Sequence, residues 1–121
     1  MSVFDSSALL AYLLQEPGAD EVRERLVLGG ACSAANWAEV AQKVESFAHN
    51  WAKTRLLLLG FGLVVEPVTM ADAESAADLW PVSESLSLAD RLCLALGARL
   101  GATIVTSDRA WAGREGVLVI R

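Results

Sequence analysis

Histidine occurs once in this 121-residue chain, cysteine twice and proline three times, and ten basic residues face fifteen acids. Each shortage closes off a class of function. The single histidine, His49, lies apart from every acid-bearing motif, so imidazole general-base catalysis has no obvious site. Ser6-Ser7 lacks the GxSxG setting of a hydrolase nucleophile. Cys32 and Cys93 stand in apolar surroundings without CxxC or Cys/His spacing. They read as buried free thiols in a reducing compartment, not as zinc ligands or a disulfide framework. A formal net charge of -5 and a pI near 4.8 exclude a broad basic surface that grips nucleic acid by charge alone. Any such activity must rest on local Arg and Lys or on bound metal. No apolar run approaches the ~20 residues that cross a bilayer. The longest, Leu56 to Val65, is interrupted by Gly60 and Gly62, and the N-terminus has no basic region of a leader peptide. The expectation is a soluble cytoplasmic protein.

What is present suffices for a core. Hydrophobic residues make up 54% of the chain and the mean hydropathy is +0.39. With no repeat, linker or low-complexity tract, residues 1–121 read as a single domain. Short apolar runs alternate with helical periodicity. Ser2-Val3-Phe4 leads into Asp5, which caps a helix from Ser6 to Leu14, and a second helix covers Asp20 to Leu28. Ala31-Cys32-Ser33 is a strand of small residues, followed by Asn36 as an N-cap with Glu39 three positions on. Trp51 to Leu59 is a helix whose run of leucines, Leu56 to Leu59, predicts burial on several sides, in the domain or against a partner. Leu63-Val64-Val65 is a strand, Thr69 caps a helix from Ala71 to Trp80, and Val82 to Ser85 form a loop. Ser87 then caps a helix with Asp90 as its capping-box partner, Gly101 stops it, and Ala102 to Thr106 make a strand that ends at Ser107-Asp108. Val117 to Ile120 close the series.

Strands alternating with helices predict a three-layer α/β/α fold around a mostly parallel sheet of about five strands. Right-handed crossovers then put every strand's C-terminal end on one rim, where such sheets bind ligands. Asp5, Glu39, Asp90 and Asp108 are all expected at that rim. Each taken alone is explained as a helix cap worth ~1 kcal/mol. Together they are harder to dismiss, since unit charges about 4 Å apart repel by ~4 kcal/mol at an effective dielectric near 20. Arg91 and Arg109 project differently from their neighbouring acids, and Lys43 can satisfy only Glu39. An all-oxygen set without His or Cys favours Mg²⁺ or Mn²⁺ over zinc.

The strings Phe4-Asp5-Ser6-Ser7-Ala8-Leu9, Asn36-Trp37-Ala38-Glu39-Val40, Leu86-Ser87-Leu88-Ala89-Asp90-Arg91 and Thr106-Ser107-Asp108-Arg109-Ala110-Trp111 occur in this order along the chain. Any one is common; all four at this spacing resemble the PIN-domain ribonucleases, and among them the toxins of VapBC toxin–antitoxin pairs. The resemblance implies a PIN-like fold and a Mg²⁺- or Mn²⁺-dependent endoribonuclease, with Asp5 and Asp90 as principal metal ligands and Glu39 and Asp108 completing the site. Ser6 and Thr106 are second-rank candidates for orienting groups there. It also implies a homodimer, an RNA substrate and a small antitoxin whose basic tail enters among the carboxylates. Trp111, nearest the site, is a candidate for stacking on a flipped-out base, beside its ordinary reading as a core residue.

Two other readings keep a parallel α/β fold with an acidic rim. A receiver-like phospho-acceptor domain would want paired acids after the first strand and a late Lys; here Asp5 stands alone and no Lys follows Lys53. A catalytically idle PIN-like binding module is the other, and the intact set of acids speaks against it.

Overall fold

The computed structural model describes residues 1–82 and 85–121. Five strands are joined by six α-helices in the order β1 (Ser2–Phe4), α1 (Ser6–Leu13), α2 (Ala19–Val27), β2 (Gly30–Ser33), α3 (Ala34–Ser46), α4 (Trp51–Gly60), β3 (Val64–Glu66), α5 (Met70–Asp78), α6 (Leu88–Leu100), β4 (Thr103–Thr106) and β5 (Val117–Val119). Short 3-10 turns cover Trp80–Val82 and Arg109–Trp111. Ser83 and Glu84 of the loop expected over Val82 to Ser85 lie outside the described residues.

All strand pairings are parallel and the spatial order is β3-β2-β1-β4-β5. The chain winds outward from β1 to β3, then returns to the other side of β1 for β4 and β5. The order reverses between β1 and β4, so the switch-point crevice opens beyond Phe4 and Thr106. A receiver-type sheet runs 2-1-3-4-5, which sets that alternative apart from this topology.

Period-two alternation divides the sheet residues between two cores. Phe4, Cys32 and Val105 face one way and pack with Leu9, Leu26, Val40 and Leu58 from the layer of α1 to α4. Val3, Ala31 and Ile104 face the other way, with Cys93 and Leu96 of α6 and with Trp111. Helix α5 packs along α6 on that side. The close fit of α6 needs Gly97, where a Cβ would lie 2.5 Å from the Ile104 side chain. Gly101 ends the helix in the left-handed conformation with φ of 61°. Both cysteines are free and buried, and burial pushes the Cys32 thiol up to about 12. No helix of the described residues is long and apolar enough to cross a membrane.

Two local expectations change. Helix α3 is capped by Ser33, whose Oγ accepts from Ala35 N at 3.1 Å, so Asn36 lies inside the helix and is no N-cap. Of the leucines in α4, Leu58 alone enters the core; Leu56 and Leu57 remain exposed, so the domain itself does not bury that helix on several sides and a partner remains the other expectation. Helix α5 opens on a capping box between Thr69 and Asp72, which Arg99 at the end of α6 joins through bonds of 2.9 and 3.2 Å. These bonds hold the Asp72 carboxyl below its usual range, against the opposing pull of burial. Arg99 keeps 35% of its side-chain exposure, which screens the pair. Asp72→Ala should therefore cost about 1–2 kcal/mol in urea denaturation at pH 7. A depressed folded-state value means stability present above the unfolded carboxylate's pKa and lost as the pH falls, so the gap between parent and variant should close near pH 3.

Candidate active site

Asp5 is the first residue beyond β1 and the N-cap of α1. Its Oδ1 accepts from Ala8 N at 2.8 Å and from Ser7 Oγ at 2.7 Å, and its Oδ2 accepts from Thr106 Oγ1 at 2.6 Å. The side chain is 3% exposed. Pairing of β1 with β4 makes this possible: Asp5 N donates to Val105 O at 3.1 Å, which sets the end of β4 against the start of α1. Thr106 Oγ1 in turn accepts from Asp108 N at 3.0 Å, and Ser7 Oγ accepts from Ser107 N at 3.0 Å. The buried Thr106 hydroxyl and the half-buried Ser7 hydroxyl therefore spend their protons on Asp5 while their lone pairs fix the turn that carries Asp108.

The remaining acids each use one oxygen locally. Asp90 Oδ2 accepts from Ser87 N at 3.1 Å, completing the expected capping box with the Asp90 N to Ser87 Oγ bond. Asp108 Oδ1 accepts from Ala110 N at 2.9 Å. Glu39 Oε1 accepts from Asn36 Nδ2 at 2.8 Å and from Ser6 Oγ at 3.0 Å. Among the described residues, Asp90 Oδ1, Asp108 Oδ2 and Glu39 Oε2 make no hydrogen bond. For Asp90 and Asp108 capping and a role in the crevice are thus compatible, one oxygen tying the backbone and the other left over, while Glu39 is held by side chains alone.

The charges are felt across the crevice. Burial raises the Asp5 carboxyl from 3.8 to about 6, its three hydrogen bonds pull it down, and the Asp90 charge adds a further push upward. Asp90 is raised too, first by burial and then by the charges of Glu39 and Asp108, with the Ser87 bonds opposing. The buried Cys93 thiol lies well above its usual range, from burial and from the fields of Asp5, Asp90 and Glu39. Among the described residues no Lys or Arg forms an ion pair with these acids. Arg91 turns away, donating from Nη1 to Ala76 O at 2.8 Å with its guanidinium 5.1 Å from the Trp80 ring centre.

Compared with known proteins, residues 2–115 match the family model described as the PIN domain. The chain belongs to the PIN-domain family. No curated protein matches it. Two solved structures share its architecture. A toxin–antitoxin complex from Klebsiella pneumoniae superposes with a TM-score of 0.84 at 21% identity, covering 100% of this chain and 98% of that one. Mycobacterium tuberculosis VapC20, described as a Sarcin-Ricin loop cleaving toxin, does so with a TM-score of 0.70 at 18% identity, over 97% and 98% of the two chains. At these identities the likeness speaks for the fold.

Within this PIN domain, the topology brings Asp5, Asp90, Glu39 and Asp108 close enough to perturb one another in part, through Asp90. They do not close around one point: among the described residues no three His, Cys, Asp or Glu side chains converge tightly enough to hold an ion as they stand. The donor chemistry fits a hard cation that keeps several of its waters and takes only one or two carboxylates directly, the habit of Mg²⁺. Buried Asp5, raised by its surroundings, is the group that most needs such a partner. Ser6 and Thr106 sit on Glu39 and Asp5 respectively. Ser7 had no site role in the sequence and Asn36 only that of a cap, yet each holds one of the acids. The signal for Ser7 was a second hydroxyl after the capping acid. That for Asn36 was its i,i+3 spacing to Glu39, masked by its equal suitability as a cap. Trp111 is fully buried and joins the core, which removes it as a base-stacking platform.

Proposed function

We propose that this PIN domain is a metal-dependent endoribonuclease and the toxin of a VapBC-type pair. The observation that carries the reading is the buried Asp5 carboxylate at the topological switch point, pushed up by burial and by the charge of Asp90. Asp5 and Asp90 are the proposed principal ligands of Mg²⁺ or Mn²⁺, with Glu39 and Asp108 completing the site directly or through water. When bound, such an ion supplies charge neutralisation at a phosphodiester and a lowered pKa for an attacking water. The chain's own part is positioning. Ser7, Thr106 and Ala8 N lock the Asp5 carboxylate plane, Ser87 fixes Asp90, and Ser6 with Asn36 fixes Glu39. No histidine is asked to move a proton, in keeping with His49 lying in the segment between α3 and α4.

The partners follow from the same reading. A cytoplasmic antitoxin with a basic tail would neutralise the carboxylates in the ion's place, and a homodimer is proposed for the toxin itself. Apolar side chains left in water support a protein partner: Leu28 at the end of α2 is 83% exposed and Leu56 on α4 is 67% exposed. The test is direct. Purified protein incubated with total RNA should cut it with Mg²⁺ or Mn²⁺ and stop on adding EDTA, and induced expression should arrest growth unless the neighbouring small reading frame is co-expressed. Intact RNA under every metal condition would end the enzymatic reading.

A further inference from the structure

Beside the carboxylates lies a hollow of about 500 Å³ lined by Ser7, Ser107, Asp108, Arg109 and Arg121. Its size is within the ~300–1,000 Å³ typical of ligand sites. What distinguishes it is charge. The acids of the crevice would repel an RNA backbone, and the chain as a whole carries -5. Here, by contrast, two guanidiniums face one carboxylate. Neither Arg109 nor Arg121 takes part in any ion pair of the described residues, and both are exposed. Ser107 adds a second sign: it is 7% exposed, yet its hydroxyl makes no hydrogen bond among the described residues, whereas its N–H is spent on Ser7 Oγ. A hydroxyl that no protein group occupies, on the wall of a hollow with two guanidiniums outside any ion pair of the described residues, suits an oxyanion.

The fold explains why these residues meet. Arg109 follows Asp108 in the 3-10 turn after β4, and Arg121 lies two residues beyond β5, which pairs in parallel with β4. The Ile120 N to Thr106 O bond of 2.9 Å draws the end of β5 to the end of β4. Both arginines therefore emerge on the crevice rim, next to Asp108 and a short step from Asp5.

We infer that this hollow is a phosphate subsite for the RNA strand, in which Arg109, Arg121 and the Ser107 hydroxyl hold a phosphate adjoining the one to be cut. The inference rests on the ribonuclease reading and adds to it where the substrate backbone runs. Phosphate contacts of this kind set register and carry no sequence information, so they belong in KM more than in kcat. Asp108 repels the same phosphate, and the two guanidiniums oppose that repulsion.

The experiment compares the full-length protein with Arg109→Ala, Arg121→Ala and the double variant, using a short oligoribonucleotide that the parent cuts. Each single variant should raise KM about tenfold while kcat stays within about threefold, and loss of one phosphate contact should flatten the salt dependence by about 0.7 in log–log slope. A titration with inorganic phosphate, followed by NMR at the Ser107 and Arg121 amides, should shift them in the parent and not in the double variant. Unchanged KM and salt slope in a parent that cuts RNA would overturn the subsite and leave the ribonuclease standing. A fall in kcat at constant KM would also overturn it, by placing the arginines at the reacting bond. A parent that cuts no RNA would overturn the functional reading and the RNA assignment with it.

Discussion

Replacing Asp5 with Asn should lower RNA cleavage by about a thousandfold or more, the loss of ~4 kcal/mol of transition-state stabilisation, while making the metal-free protein more stable at neutral pH. The two effects have opposite signs because they come from one charge. Buried Asp5 is raised from 3.8 to about 6 in the fold. An acid whose folded-state value lies above its unfolded value is bound to its proton in the native state over the interval between them, so native stability is fullest below about pH 4 and is lost as the pH rises towards 6. Above that the loss is complete, at roughly 3 kcal/mol for a rise of this size. Asn removes the charge and keeps the cap, since its Oδ1 can still accept from Ala8 N and Ser7 Oγ, and its amide nitrogen can donate to Thr106 Oγ1. Urea denaturation of EDTA-treated protein from pH 4 to pH 8 should show the parent losing stability through this window and the variant losing less, the remainder coming from the raised Asp90. Added Mn²⁺ should recover the parent's loss and leave the variant where it was, because a ligand that binds only the native state stabilises it by mass action. Equal cleavage by parent and variant would remove Asp5 from the site. Parallel stability curves would mean its carboxylate is solvated enough to ionise freely.

Much of this site was legible because its parts are local. A cap residue and its partner three positions on are read from adjacent residues, and the boxes at Ser87/Asp90 and Thr69/Asp72 formed where that pattern stood or was half seen. The strand order was not legible. Asp5 meets Thr106 across a separation of 101 residues because β1 is central and β4 returns to its free side, and nothing in either segment states which strand lies beside which. The start of α3 was misplaced for a related reason. β2 runs into α3 with no loop, so Ser33 both ends the strand and caps the helix, while Asn36, an equally good cap by type, is left free to grip Glu39. The leucines of α4 show the limit of composition: four in a row promise burial, but a helix presents them around most of its circumference, and only Leu58 points at the core.

Trp111 is where fold stability and the crevice meet, and Trp111→Ala should destabilise the protein by about 3–5 kcal/mol, a large part of the ~5–15 kcal/mol that holds a domain folded. The ring is fully buried among Val3, Ala31, Leu86, Cys93, Leu96 and Ile104, so its removal opens a cavity against both β4 and α6. The same residue closes the 3-10 turn whose first N–H groups hold Asp108, through Trp111 N to Asp108 O at 3.2 Å and Ala110 N to Asp108 Oδ1 at 2.9 Å. With the anchor gone that turn is released, and cleavage should fall with stability even at temperatures where the variant is folded. Trp111→Phe separates packing from polarity. Among the described residues the buried indole Nε1 has no hydrogen-bond partner, a defect worth about 1–3 kcal/mol that phenylalanine does not have. What Phe loses in buried ring area it regains in part by removing that orphan donor, so its urea midpoint should lie near the parent's and its cleavage rate should be retained. If Phe proved as damaging as Ala, the indole nitrogen would have a partner that the structure does not display, and the turn carrying Asp108 would be held by a polar contact in place of packing.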